Sequence, residues 1–363
     1  MSGIYVHIPF CKKRCSYCNF YSTTLLSHID KYVGCICDEA AAKKDFLNNN
    51  PVKTIYFGGG TPSLLNYEQI NRIYNTLVSF YNTENLNEFT IECNPDDLNA
   101  EYIEELKKTA INRISIGIQS FDDRLLEFIN RRHTSNAAIN AVKMLKNSGF
   151  DNISIDLIYG IPGQSEESWK DSVRQAIELD VQHISAYNLS FEEEAPIYKY
   201  IDSAPDDDTC LNMYKYLCSQ LFNAGFEHYE ISNFAKKGFR SQHNNSYWTG
   251  YTYLGLGAGA HSYDGKRRFW NKDIQLIGNT LKWETENEYL SEKDIFNELI
   301  ITSLRTKEGV STEKIDKKFI NHFYKIADKY ISERLLKSDN EWVSLTEKGI
   351  FISDSIIRDF IIL

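Results

Sequence analysis

The chain has no fourth cysteine near the three that crowd its N-terminal end. Cys11, Cys15 and Cys18 have the spacing C-x3-C-x2-C, and the other five of its eight cysteines (Cys35, Cys37, Cys93, Cys210, Cys218) are scattered. A closed structural zinc site takes four ligands, and so does a fully protein-ligated 4Fe-4S cluster. There is no run of about 18 apolar residues, so no membrane-spanning helix is expected. Met1-Ser2-Gly3 leads straight into an apolar strand, without a charged leader or a cleavage site. The expectation is therefore a cytosolic protein with reduced thiols, in which clustered cysteines are metal ligands and the scattered five are small buried residues. Basic excess is also absent: 40 Lys and Arg against 50 Asp and Glu give a net charge of −10, which argues against a nucleic-acid partner. There is no low-complexity tract, and no repeat beyond an alternation of strands and helices.

That alternation organises the first two hundred residues. Strand-like runs occur at Ile4–Ile8, Thr54–Phe57, Glu88–Glu92, Arg113–Ile118, Asn152–Tyr159 and His183–Leu189. Helical spacing fills the gaps at Ser27–Leu47, Tyr67–Tyr81, Ala100–Thr109, Ser135–Ser148 and Ser165–Leu179. Ser135 and Ser165 are placed as N-caps and Gly149 as a C-cap. Six βα units predict a parallel sheet with right-handed crossovers, as an open partial barrel or a doubly wound sheet. In either form ligands gather at the C-terminal ends of the strands. Asp202–Asp208 looks like an acidic linker, and 209–225 like one more helix. Residues 226–285, rich in Tyr, Trp, Gly and Asn, suggest an antiparallel extension with strands at Phe226–Ile231 and Arg267–Trp270. The remainder is mostly helical, with a strand at Trp342–Leu345 and an apolar end expected to pack on the core. A wing-like strand invites a DNA-binding reading, but 13 basic against 16 acidic residues in 281–363 argue against it. The expected domains are 1–208, 209–285 and 286–363.

The residues suited to chemistry stand at strand ends. Three thiolates on one loop can hold three irons of a cubane and leave the fourth open to a small molecule. On spacing alone a zinc site completed by His7, or three buried thiols, stays open as well. Gly58-Gly59-Gly60-Thr61-Pro62-Ser63 follows the second strand and would let backbone approach a ligand closely. Glu92 closes the third strand, where a carboxylate can accept from two ribose hydroxyls. Gln119 closes the fourth. Asp156 alternates with Ile155 and Leu157, faces the interior, and needs a donor from a ligand or a cation. Arg131 offers a planar fork to a ligand carboxylate. His243, in His243-Asn244-Asn245-Ser246-Tyr247-Trp248, is either a haem ligand beside aromatic surface or a hydrogen-bonded structural histidine. His7 and His261 share that ambiguity, and His7 is expected to support the cysteine loop from behind.

Taken together these motifs resemble the radical S-adenosylmethionine (SAM) family. The similarity runs from Ile4 to the C-terminal domain. It rests on Tyr5-Val6-His7-Ile8-Pro9-Phe10-Cys11, the glycine run, Ile91-Glu92, Gly117-Ile118-Gln119-Ser120-Phe121, Asp156-Leu157-Ile158-Tyr159-Gly160 and the His243–Trp248 run. The branch it resembles holds oxygen-independent coproporphyrinogen III dehydrogenases and haem chaperones. The resemblance implies an α/β fold, a partial (βα)6 TIM-like barrel with an antiparallel extension and a small winged-helix-like C-terminal domain. It implies a 4Fe-4S cluster on Cys11, Cys15 and Cys18, whose open iron takes SAM and whose reduction cleaves it to a 5′-deoxyadenosyl radical. It places SAM against Tyr5, Tyr17, Gly59, Gly60, Thr61, Glu92, Gln119, Arg131 and Asp156. The dehydrogenase pattern would need a further cysteine two residues past Cys18, where this chain has Phe20, and a long segment before the first strand. Cys18-Asn19-Phe20 and the His243 motif are similar to the haem chaperones instead. The implied function is haem carriage, with His243 as ligand, haem or porphyrin as cargo, haem-accepting proteins as partners, and an electron donor such as flavodoxin or ferredoxin. Oxidative decarboxylation of coproporphyrinogen III to protoporphyrinogen IX is the rival. Cys93, where the family usually has alanine, is expected to be a neutral packing change.

Overall fold

Alternating side chains in six short runs build one concave sheet. The computed structural model describes residues 2–277 and 280–363. Strands β1 (Ser2–Ile8), β2 (Val52–Gly59), β3 (Glu88–Cys93), β4 (Arg113–Gln119), β5 (Ile153–Tyr159) and β6 (His183–Asn188) pair in sequence, all parallel. Helices α1 (Ile29–Ala42), α2 (Tyr67–Phe80), α3 (Ala100–Leu106), α4 (Asp123–Phe128), α5 (Ser135–Asn147), α6 (Glu166–Glu178) and α7 (Asp207–Asn223) follow the successive strands. One face of the strands is apolar. Ile4, Val6, Ile55, Phe57, Ile91, Ile114, Ile116, Ile155 and Leu157 are all buried in a single large core cluster. Each such side chain contributes roughly 1.5–3 kcal/mol by leaving water. The registers put Tyr5, Tyr56, Glu92, Ser115, Asp156 and Ser185 on the other face, the inside of the partial barrel.

Local signals set the helix starts. Asn66 and Gln69 form a reciprocal capping box before α2, and Ser165 accepts from Ser168 N at 3.1 Å before α6. Thr134, not Ser135, caps α5: its hydroxyl accepts from Ala137 N, while the N–H of Ser135 goes to Asp123. Gly149 follows that helix at φ +91°, the left-handed position expected of it. The acidic stretch read as a linker is partly helical. Pro196–Ser203 is 3-10 helix, and Asp206 caps α7 by accepting from Thr209 N at 2.8 Å.

Both edges of the barrel are extended. Strands β7 (Glu227–Glu230) and β8 (Asn233–Ala235) add antiparallel to β6. Helix α8 (Gln242–Trp248) follows. Strand β9 (Thr252–Leu256) then joins the opposite edge, pairing parallel with β1, and β10 (His261–Tyr263) and β11 (Arg267–Asn271) continue antiparallel from it. A small hairpin, β12 (Gln275–Ile277) and β13 (Thr280–Lys282), precedes β14 (Thr285–Tyr289), which pairs with β11. The extension is thus antiparallel except for β9, and the sheet runs continuously over twelve strands.

The C-terminal part comprises α9 (Glu292–Ser303), β15 (Val310–Ser311), α10 (Ile320–Ser332), β16 (Leu336–Asp339), β17 (Trp342–Leu345), α11 (Glu347–Ile350) and α12 (Ser353–Phe360). The three strands form a wing in the order β15-β17-β16, and the element has its own apolar core around Phe296, Ile300, Phe323, Ile356 and Phe360. The apolar chain end packs there as expected, and Asn297 and Lys293 bond its last carbonyls. Of the five scattered cysteines only Cys93 is fully buried. The other four are partly exposed on their helices, where a small polarisable side chain is tolerated. No described helix is long and apolar enough to cross a membrane.

Candidate functional site

The cysteine loop leaves the C-terminal end of β1, where Pro9 ends the strand. Thr23 N donates to Pro9 O at 2.7 Å, and Cys11 N donates to Thr23 O at 2.9 Å, closing the base of the loop. Its far side is tied to the end of α4, by Ser16 N to Ile129 O at 3.2 Å and by Asn130 Nδ2 to Arg14 O at 2.6 Å. The three thiols are unpaired and partly exposed. Among the described residues no three His, Cys, Asp or Glu side chains converge as ligands of one ion would. His7 does not complete a zinc set, because its Nδ1 meets Tyr5 OH and its Nε2 meets Tyr21 O, each at 3.0 Å. Through Tyr21 it braces the exit of the loop. The Thr61 hydroxyl donates to Cys11 Sγ at 3.5 Å, and Arg131 Nη1 donates to Cys15 Sγ at 3.3 Å. Burial pushes the Cys11 and Cys18 thiols up, so a cation must offset their deprotonation. Three thiols on one tethered loop, with two donors already aimed at sulfur, fit an iron–sulfur cluster.

Of the residues expected to bind SAM, Tyr17, Gly60, Thr61 and Arg131 lie against this loop, while Tyr5, Glu92 and Asp156 lie on the inner face of the barrel. Glycines 58–60 are required by close packing. A Cβ on Gly59, at φ +108°, would meet the His7 ring at 2.5 Å, and one on Gly60 would meet Pro9 C at 2.7 Å. Glu92 lies inside the barrel mouth. Tyr56 OH donates to its Oε1 at 2.7 Å and Gly59 N to its Oε2 at 3.1 Å. Burial raises its pKa to about 7, against these two bonds, with the Asp156 charge adding to the rise. A carboxylate has about four acceptor positions, so two remain for a ligand. Asp156 is also raised by burial, and its donors are the Ser185 and Ser115 hydroxyls rather than the cation or ligand expected for it. Gln119 sits at φ +70°, at a register shift between β4 and β5, a strained backbone for a non-glycine residue. Tyr17 packs beside Arg131, and burial raises its pKa. Arg131 Nη2 donates to Asn94 Oδ1 at 2.7 Å and to the Gly117 carbonyl, but its buried Nε has no partner. An open guanidinium N–H beside the cysteine loop is a binding position for a ligand oxygen.

His243 is not part of this grouping. It lies at the opposite, N-terminal end of the barrel, where α8 plugs the base. Its Nδ1 meets Thr54 Oγ1 at 2.8 Å and its Nε2 meets Tyr247 OH at 2.9 Å, and the residue is 1 % exposed. Glu88 accepts from Gln242 N and His243 N at 2.9 and 3.0 Å, holding the first turn of α8 under β3. Burial lowers the His243 pKa to about 3. The expectation of a haem-presenting His243 is therefore corrected: both nitrogens are occupied and no surface reaches them. The structural reading left open for this residue is the one observed. Sequence reasoning missed Tyr56 and Asn94, which hold Glu92 and Arg131. Strand alternation was the available signal, since each stands two residues from a position already singled out, Gly58 and Glu92.

On the same inner face, past β1, lies a cleft of about 830 Å³. Phe20, Tyr21, Tyr247, Tyr253 and Trp270 give it an aromatic lining, and Tyr5 and His7 connect it to the barrel mouth.

A model of the Radical SAM superfamily matches residues 5–176, and one of the HemN C-terminal domain matches 290–352. The chain is 36% identical to the heme chaperone HemW of Lactococcus lactis, covering 99% of this chain and 97% of that protein. It is 33% identical to the heme chaperone HemW of Bacillus subtilis, covering 99% of each. Coproporphyrinogen III oxidase HemN from Escherichia coli has the same fold, with a TM-score of 0.84 at 22% identity over 99% of this chain and 90% of that one. A radical SAM match implies a 4Fe-4S cluster and S-adenosylmethionine as cofactors. The chain belongs to the HemW family of the radical SAM superfamily.

Proposed function

We propose that this protein is a radical SAM haem chaperone, which binds haem and hands it to haem proteins. Cys11, Cys15 and Cys18 would each hold one iron of the 4Fe-4S cluster. Tyr5, Tyr17, Gly59, Gly60, Thr61, Glu92, Gln119, Arg131 and Asp156 would surround SAM. Bound there, the cluster and SAM together supply one-electron and radical chemistry. The chain's own residues set how SAM is held: the open Arg131 Nε offers a donor to its carboxylate, and the free acceptor positions of Glu92 suit its ribose hydroxyls. Haem-accepting proteins, and an electron donor such as flavodoxin or ferredoxin, are the partners this role requires. The observation that carries the reading is the aromatic cleft. At about 830 Å³ it has the volume of a small-molecule site, it shares Tyr5 and His7 with the inner face of the barrel, and Phe20 and Asn19 line it two residues or fewer from Cys18. The printed names of the relatives above support the same reading.

The dehydrogenase alternative is tested directly. Reduced, anaerobically reconstituted protein is incubated with SAM and coproporphyrinogen III, and the products are separated. No protoporphyrinogen IX is expected from protein whose cluster is intact. Its formation at catalytic turnover would replace the chaperone reading with the enzymatic one.

A further inference from the structure

Three histidines stand as candidate haem ligands in the sequence, His7, His243 and His261, and two are fully committed. His7 bonds through both nitrogens to Tyr5 OH and Tyr21 O, and His243 through both to Thr54 and Tyr247. The third, His261, is exposed in the aromatic cleft, and its ring makes no hydrogen bond to any described residue. We propose that His261 is the side chain that ligates haem iron, with the macrocycle lying in the cleft between Trp270, Tyr253, Tyr21 and Phe20. This deepens the chaperone reading and rests on it.

The backbone places His261 by design of the turn before it. Gly257 and Gly259 adopt φ +93° and +78°, which reverses the chain between β9 and β10. Gly257 N is held by Glu39 Oε2 at 2.7 Å and Ala258 N by Tyr32 OH at 2.9 Å, so α1 anchors the turn. Gly255 lets β10 lie close: a Cβ there would sit 2.1 Å from His261 O. In the β10–β11 register His261 faces Trp270 and Tyr263 faces Arg268. Tyr263 in turn pairs with Tyr253, and Tyr253 pairs with Gly3 of β1. Alternation then puts His261, Trp270, Tyr253, Tyr5 and His7 on one face. The walls are pinned as well. Trp270 Nε1 donates to Glu286 Oε2 at 3.0 Å, and Tyr21 OH accepts from Ile274 N at 2.9 Å. Partial desolvation, and after it the charge of Arg268, lower the His261 pKa. That direction favours the neutral imidazole, whose nitrogen lone pair is what a metal takes.

The test uses the full-length, cluster-reconstituted protein and haem itself. Wild type, His261→Ala, His261→Gly and His243→Ala are titrated with haem and followed by optical and electron paramagnetic resonance spectra. Cluster absorbance and SAM binding are measured alongside as checks on folding. His261→Ala is expected to lose the imidazole-ligated haem spectrum and at least tenfold in affinity, with the cluster and SAM binding unchanged. Added imidazole is expected to restore the spectrum in His261→Gly. His243→Ala is expected to melt earlier and keep the haem spectrum. Haem bound by His261→Ala with the wild-type spectrum would overturn the ligand assignment and leave the chaperone reading standing. So would failure of imidazole to rescue His261→Gly. Absence of saturable haem binding by wild type would overturn both.

Discussion

Cys15→Ala is expected to abolish the reconstituted iron–sulfur absorbance, and SAM binding with it. A cubane held by two thiolates has lost a third of its protein ligands, and the Arg131 Nη1 aimed at Cys15 Sγ loses its acceptor. The expected effect is close to complete, whereas loss of a scattered thiol such as Cys210→Ala should leave the cluster untouched. Iron and sulfide content after anaerobic reconstitution decides the matter. The fold should survive the change, because the loop is closed by backbone bonds at Pro9, Thr23 and Ile129 that involve no sulfur. A variant that unfolds would show it in its far-ultraviolet circular dichroism. Full cluster content in Cys15→Ala would remove the basis for the metal assignment.

Glu92→Gln is expected to act with opposite signs on stability and on binding. The folded protein holds Glu92 with a pKa of about 7, above the ordinary carboxylate value of 4.5. Between those pH values the folded state binds more protons than the unfolded chain. Stability of the ligand-free protein therefore falls as pH rises from about 4.5 to about 7, and levels off above. Glutamine keeps the shape without the charge, so Glu92→Gln should flatten that slope and stabilise the ligand-free protein at pH 8 by on the order of 2 kcal/mol. The same change removes a charged acceptor offered to ribose, and SAM affinity should fall tenfold or more. Denaturant melts at pH 5 and pH 8, with SAM titrations of the same samples, measure both effects. A variant less stable than wild type at pH 8 would contradict the assigned environment of Glu92.

Much of the site was legible because its residues sit where strands end. The C-x3-C-x2-C spacing, the glycine run and Glu92 all follow directly on runs whose alternation marks them as strands, and parallel strands gather their C-terminal ends at one place. His243 was misread for the opposite reason. Its partners Thr54 and Glu88 lie 189 and 155 residues away in sequence, and no local pattern says that α8 folds under the barrel. A histidine among tyrosines and a tryptophan has the composition of a haem pocket and of a hydrogen-bonded plug alike. The parallel pairing of β9 with β1 was hidden in the same way, since a short aromatic strand carries no mark of its direction. Thr134 took the capping role expected of Ser135 because both side chains can cap and the choice fell to Asp123. What His261 offers was equally invisible in the sequence, where it ranked level with two other histidines. Hydrogen-bond accounting across the fold separates the three.

The central claim is that this HemW-family protein carries haem. The most direct measurement is a haem titration of the reduced, cluster-loaded, full-length chain under anaerobic conditions. The account predicts saturation at one haem per chain, with the spectrum of an imidazole-ligated iron. Binding that fails to saturate, or that gives the spectrum of free haem, would contradict it.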